Sequence, residues 1–268
     1  MKEFYDIFGW HKNPAGIYRD TAVFTDMRPL LDFYRQKTRM RVKNFLRSHG
    51  EYFLDAGSGA NPNYEYSSNY KKHVCSDLSK RGLVEAQSKL KNKGVYALAD
   101  ITKLPFRDGV FDATLAAHVL YHIPQDEQES AVRELQRTLK SGSSCVIIYS
   151  RSGKSTPLLT KMPRFFRLFK KMAKPILQIR ADEAHDSHVH PPIYFHAHDY
   201  QWFKKTFPDD WKIDIRCWRL VNSSFTKTFV PNNFLGSLLV RLILWFETFF
   251  PHVSVRISAY PMIIIRKK

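Results

Sequence analysis

Asp55-Ala56-Gly57-Ser58-Gly59-Ala60-Asn61-Pro62 follows Glu51-Tyr52-Phe53-Leu54 in this 268-residue chain, and the reading of that junction decides the fold. The residues before it read as the end of a buried strand, and the glycines as a turn straight after it. Gly57 and Gly59 carry no Cβ, so the backbone can pass close to a bound ligand there. The carboxylate of Asp55 precedes the glycines rather than following them. Alone, a glycine-rich turn is a weak signal for a nucleotide site.

The segments that follow raise its value. About twenty residues on, His73-Val74-Cys75-Ser76-Asp77-Leu78-Ser79 ends a second short strand in a carboxylate, where an acid can accept hydrogen bonds from both hydroxyls of a ribose. Tyr96-Ala97-Leu98-Ala99-Asp100-Ile101 repeats the pattern. Leu104-Pro105-Phe106-Arg107-Asp108-Gly109-Val110-Phe111-Asp112 then leads into an apolar strand, Ala113 to Ala117, closed by His118-Val119-Leu120-Tyr121-His122-Ile123-Pro124. Glu134-Leu135-Gln136-Arg137-Thr138-Leu139-Lys140-Ser141-Gly142 reads as a helix end before a fifth strand, Ser144 to Ser150. Strand and helix units alternate over residues 51–150, the pattern of a parallel sheet.

In this order the segments resemble the class I S-adenosylmethionine (SAM) methyltransferases of the small-molecule "methyltransferase 11"-like type. The resemblance implies an α/β, Rossmann-like fold. Its sheet is seven-stranded and mostly parallel with an antiparallel last strand, and it carries an N-terminal cap and C-terminal helical lid insertions. It implies SAM as the cofactor. Asp55, Ala56, Gly57, Ser58 and Gly59 then form the cofactor loop, with Asp55 organising it and the methionine end of SAM. Asp77 and Leu78 take the ribose, Asp100 lies near the adenine amino group, and Ile101 lies against the ring. One position departs from the pattern: Asn61 stands where many relatives have a third glycine, which methyltransferases tolerate more often than dehydrogenases do.

Length and a hydrophobic content of 44% allow a single α/β domain with a full core. Cys75, Cys145 and Cys217 are far apart and form no C-x-x-C, so they read as reduced thiols of a cytoplasmic protein. Met1-Lys2-Glu3-Phe4-Tyr5-Asp6 lacks the charged-then-apolar pattern of an export signal. No uncharged run reaches the ~18 apolar residues that span a bilayer. Lys and Arg number 42 against 25 Asp and Glu, a net charge of +17. Such an excess attracts anionic partners: nucleic acid, acidic lipid or a phosphorylated substrate.

The organisation expected is one methyltransferase domain over 1–268. Residues 1–50 hold an irregular aromatic cap (Phe4, Tyr5, Phe8, Trp10, Tyr18) and a helix from Arg28 to Ser48; 51–150 form the SAM-binding core. Residues 151–210 hold a basic helix and a histidine-rich acceptor lid, and 211–268 the last strands with an inserted apolar helix, 233–250. From Thr156 to Arg180, apolar residues recur at nearly helical spacing, with Lys161, Arg164, Arg167, Lys171 and Lys174 on the complementary stripe. The helix from Asn233 to Phe250 is apolar over most of its surface, broken by Arg241 and Glu247. It suits packing against a partner subunit or lying in a membrane surface. The charge excess and the cationic stripe favour an anionic membrane surface, where each Lys or Arg contributes about 1 kcal/mol.

Methyl transfer is an in-line displacement, for which the protein supplies alignment and electrostatics. An acceptor hydroxyl must lose its proton, and imidazole suits that near neutral pH. His118 directly follows the fourth strand, where the resemblance places groups facing the sulfonium and the acceptor; His122 comes a helical turn later. Both positions serve equally for packing or capping at a strand end. His196 completes the catalytic candidates, and His190, Tyr194 and His196 are the candidate acceptor contacts. The five histidines from Ala184 to His198 match no closed zinc pattern, and no metal is assigned.

These readings point to O-methylation of a lipid-linked saccharide or other amphipathic acceptor by a protein peripheral on the inner face of the membrane. The C-terminal half resembles, in general pattern only, bacterial methyltransferases found with surface-glycan assembly enzymes. One alternative is a soluble metabolite or RNA acceptor; nucleic acid ranks lower because no RNA-binding module or base-stacking motif is present. Another is a non-catalytic membrane-docking scaffold, against which the intact acids Asp55, Asp77 and Asp100 count. The acceptor atom and oligomeric state stay open.

Overall fold

The computed structural model of the chain describes residues 2–151, 193–208 and 211–268. Seven strands form one sheet: β1 (Gly50–Ala56), β2 (Tyr70–Asp77), β3 (Gly94–Leu98), β4 (Phe111–Ala117), β5 (Leu139–Ile148), β6 (Lys212–Arg219) and β7 (Tyr260–Arg266), in the order β3-β2-β1-β4-β5-β7-β6. Neighbours among β1 to β5 pair parallel, and β7 runs antiparallel between β5 and β6. The helices are α1 (Lys2–Phe4), α2 (Arg19–Phe24), α3 (Asp32–Lys43), α4 (Lys80–Leu90), α5 (Gln128–Arg137), α6 (Trp202–Thr206), α7 (Ser223–Phe229), α8 (Phe234–Phe249) and α9 (Pro251–Ile257).

The central strands β4, β5 and β7 are buried over most of their length because both faces of the sheet are covered. Alternate residues divide between two cores. Leu54, Val74, Ile147 and Ile263 face one side, and Phe53, Leu115, Val146 and Ile264 the other. Each such buried side chain contributes about 1.5–3 kcal/mol. The segments around Leu104 and Glu134 meet as a clasp: Glu134 Oε2 accepts from the Leu104 amide at 2.8 Å, while Arg137 donates to the Phe106 carbonyl and to Asp108. Edge strand β6 carries Lys212, Asp214 and Arg216, charges that discourage pairing with another sheet.

Several boundaries differ from the sequence reading. The cap read as irregular is α1, a π-helical turn over Tyr5–Gly9, and α2. The helix read as Arg28 to Ser48 begins with a 3₁₀ turn at Pro29–Leu31 and ends at Lys43. Beyond it, Phe45 and Leu46 turn into the sheet core, and the Phe45 carbonyl accepts from Ser144 Oγ. Neither α7 nor α9 was predicted. Pro251 sits in the first turn of α9, where its missing N–H costs nothing. The helix from Thr156 to Arg180, and His190 with its neighbours His185 and His188, lie outside the described residues.

Candidate functional site

The glycine loop is set by conformation and by crowding. Gly57 and Gly59 adopt φ of 70° and 55°, in the left-handed region. A Cβ on Gly57 would stand 2.6 Å from Val119 Cγ2, and one on Gly59 2.2 Å from Trp10 Cζ2. Asp55 is buried behind the loop. It accepts from the Asn63 amide at 2.8 Å and lies 3.3 Å from His73 Nε2, so it holds the returning chain. Asp77, at the tip of β2, accepts from the Gly59 amide through Oδ2 and from the Ser79 amide through Oδ1, each at 2.8 Å. Burial pushes the Asp77 carboxyl pKa up, against the pull of those two amides.

A cavity of about 320 Å³ opens beside this loop, lined by Gly57, Ser58, Asp77, Leu78, Asp100 and Ile101. That volume lies within the range of small-molecule and cofactor sites. Asp77 offers carboxylate oxygens where hydroxyls would be held, and buried Ile101 offers an apolar surface for a flat ring. Tyr5 and Trp10 of the N-terminal segment close the cavity from above, their rings stacked 5.0 Å apart. These residues fit a nucleoside cofactor.

A second cavity, about 280 Å³, adjoins the first. Tyr5, Asp20, His118 and His122 line both. Beyond that common wall stand Trp218, Arg219 and Tyr260. His118 has a φ of 62°, a strained conformation for a residue with a Cβ, at the tip of β4. Its ring packs 5.1 Å from Trp218 and 5.3 Å from Tyr260, and its Nδ1 is 3.0 Å from Tyr121 Oη. Burial, then the charge of Arg219 and His122, pushes the His118 pKa down to about 3. Burial also lowers that of His122, whose Nδ1–H donates to the Tyr194 carbonyl at 2.8 Å. Asp20 moves the other way: burial raises its pKa to about 6.

The structure brings Gly57, Ser58, Asp77, Leu78, Asp100, Ile101, His118 and His122 to one cavity and places Asp55, Ala56 and Gly59 behind it. Tyr194 and His196 line neither cavity. Tyr194 Oη accepts from the Gln125 amide at 3.0 Å, and the His196 ring packs 4.9 Å from His198. Between and beside them, Ile193 and Phe195 line the second cavity. Among the described residues no group of His, Cys, Asp or Glu is placed to hold a metal ion. Sequence reasoning missed Asp20, Trp218, Arg219 and Tyr260. Asp20 belongs to no motif, and the alternation of a strand assigns Trp218 and Arg219 to opposite faces.

Residues 54–147 match the family model of a methyltransferase domain. No curated protein matches the sequence. Among solved structures, magnesium protoporphyrin IX methyltransferase (ChlM) from Synechocystis PCC 6803 with bound S-adenosylhomocysteine (SAH) has a TM-score of 0.50 at 14% identity, covering 89% of this chain and 86% of that one. YcgJ from Bacillus subtilis gives 0.50 at 14% identity, over 87% and 99% of the two chains. The [4+2]-cyclase SpnF gives 0.52 at 16% identity, over 97% and 87%. At these identities the likeness is one of fold.

Proposed function

We propose, from the premise that residues 54–147 match a methyltransferase domain, that the chain uses SAM to methylate an oxygen of an amphipathic acceptor, such as a lipid-linked saccharide, at an anionic membrane surface. The observation that carries the proposal is the wall common to the two cavities: Tyr5, Asp20, His118 and His122. A cofactor on one side and an acceptor on the other meet there.

SAM, when bound, supplies a methyl group activated by a sulfonium. The residues of the chain do the rest. Gly57 would let the backbone approach the cofactor, Asp77 would accept from the ribose hydroxyls, and Ile101 would flank the adenine. Tyr5 and Trp10 exclude water from the first cavity. An acceptor hydroxyl held at the common wall would pass its proton to Asp20 as its oxygen takes the methyl group, the S–CH₃ bond breaking with its electron pair left on sulfur. Asp20 suits this role because a pKa of about 6 leaves it ionised at neutral pH and still basic. His118, held near 3, is a much weaker base and works as a neutral wall that orients the acceptor.

The membrane part of the proposal is supported by α8. Its outer side exposes Phe234, Leu235, Leu238, Leu242, Trp245 and Phe249. Its inner side is tied down by Glu247, which accepts from Tyr34 Oη and the Leu220 amide and ion-pairs with Arg41 at 2.9 Å. An exposed apolar ridge on a chain of charge +17 suits contact with anionic lipid. Among the described residues no single helix is long and apolar enough to cross a membrane, and the chain bends by 112° between α8 and α9.

The test is transfer of radiolabelled methyl from SAM into a bacterial membrane extract. Label in the organic phase, lost with Asp20→Asn, is the expected result. Label confined to water-soluble metabolites or RNA overturns the acceptor assignment.

A further inference from the structure

The second cavity contains a cation that forms no ion pair among the described residues. Arg219 lines the cavity, and its Nε donates to Thr38 Oγ1 at 3.1 Å. Its guanidinium lies over the Trp218 ring at 4.0 Å. The two terminal nitrogens make no hydrogen bond, and the group forms no ion pair, among the described residues. Two carboxylates nearby are committed elsewhere, Glu247 to Arg41 and Asp26 to Arg28 at 2.7 Å, and Asp20, which lines the same cavity, forms no ion pair with Arg219. Burial lowers the Arg219 pKa, and Arg35 and Arg39 add to the effect. A guanidinium stays charged in spite of this, so the site bears the cost of a desolvated cation.

Next to it is a second unmatched donor. Trp218 is buried, lines the same cavity, and its Nε1–H has no acceptor among the described residues. The backbone explains how neighbouring residues come to share one cavity. Cys217 pairs with Pro261 and Arg219 with Tyr260, which leaves Trp218 as the extra residue of a β-bulge. A bulge re-aims side chains that a regular strand would send to opposite faces.

We propose that the second cavity is an oxyanion subsite, in which Arg219 and the Trp218 indole N–H bind a phosphate or carboxylate group carried by the acceptor. The inference rests on the reading of this cavity as the acceptor site and deepens it by naming the chemistry of the ligand. Pinned through Nε and stacked on an indole, the guanidinium presents its remaining edge as a planar fork, the geometry that takes two oxygens of one anion. Tyr260 and Phe195 supply an apolar surround, which suits an anion attached to a hydrophobic or ring-bearing body.

Calorimetric titration of the SAH-loaded protein with phenyl phosphate, benzoate and neutral benzamide tests this. Both anions should bind more tightly than benzamide, and Arg219→Met should weaken them about ten- to hundredfold while leaving benzamide unchanged. Arg219→Lys should restore only part of the loss, because an ammonium cannot form the fork. Stronger binding of phenyl phosphate than of benzoate assigns a phosphate, and the reverse order a carboxylate. Anions that bind no better than benzamide, or that bind Arg219→Met as well as the wild type, overturn the oxyanion subsite while SAH binding persists. A wild type that fails to bind SAH overturns the methyltransferase reading itself, and this inference with it.

Discussion

Asp77 Oδ2 accepts a hydrogen bond from the Gly59 amide at 2.8 Å, which ties the tip of β2 to the turn that follows β1. The acid that faces the first cavity is therefore also the clamp that shapes the glycine loop. Recognition and loop geometry are coupled at this pair.

Gly59→Ala should break that coupling. The new Cβ would demand a left-handed φ and collide with the Trp10 ring. Strain of this kind costs about 1–3 kcal/mol. The expected result is a lower melting temperature together with weakened SAH binding, read by thermal shift with and without SAH. An Ala variant that matches the wild type in both shows that neither the turn nor the Trp10 contact shapes the site.

Asp20 gives a pH signature. Its folded pKa of about 6 lies above the ordinary 3.8. From about pH 4 to 6 the unfolded chain gives up this proton before the folded one does, so the folded state binds more protons and stability falls as pH rises; above the folded pKa the cost is constant. Asp20→Asn should therefore be more stable than wild type at pH 7, by up to about 3 kcal/mol. The same variant should lose about a hundredfold or more in rate. In the wild type, kcat/KM should rise with pH to a plateau above about 6. A profile unchanged in Asp20→Asn assigns the proton transfer elsewhere.

Glu247 is buried and meets three partners: its Oε1 accepts from Tyr34 and the Leu220 amide, and its Oε2 ion-pairs with Arg41. Glu247→Ala should cost about 3–5 kcal/mol, because it leaves buried donors unpaired. Urea unfolding measures this, and a cost below about 1 kcal/mol contradicts the role given to this anchor.

The outer side of α8 should behave in the opposite way. Leu238→Ser, Leu242→Ser and Trp245→Ser change exposed positions, so each should alter stability by roughly 0.5 kcal/mol or less. Combined, they should abolish flotation of the protein with phosphatidylglycerol vesicles. Undiminished flotation removes α8 from the membrane contact.

Much of this architecture was legible in the sequence, and the reason is geometric. Asp55, Asp77 and Asp100 each lie within two residues of a strand end, and strand ends are set by apolar runs that can be counted in the sequence. His118 was legible for the same reason. Asp20 was not, because the cap that carries it has no period; its helices are three and six residues long and depend on packing. Trp218 and Arg219 were hidden by the bulge, since strand alternation holds only where pairing is regular.

The central claim is that a nucleoside cofactor sits in the first cavity with its ribose on Asp77. Calorimetric titration of SAH into the wild type and Asp77→Asn tests it most directly. The account predicts a single site in the wild type, weakened about ten- to hundredfold in Asp77→Asn, where the side chain keeps its shape and loses its charge. No SAH binding in the wild type, or equal affinity in the two proteins, would contradict it.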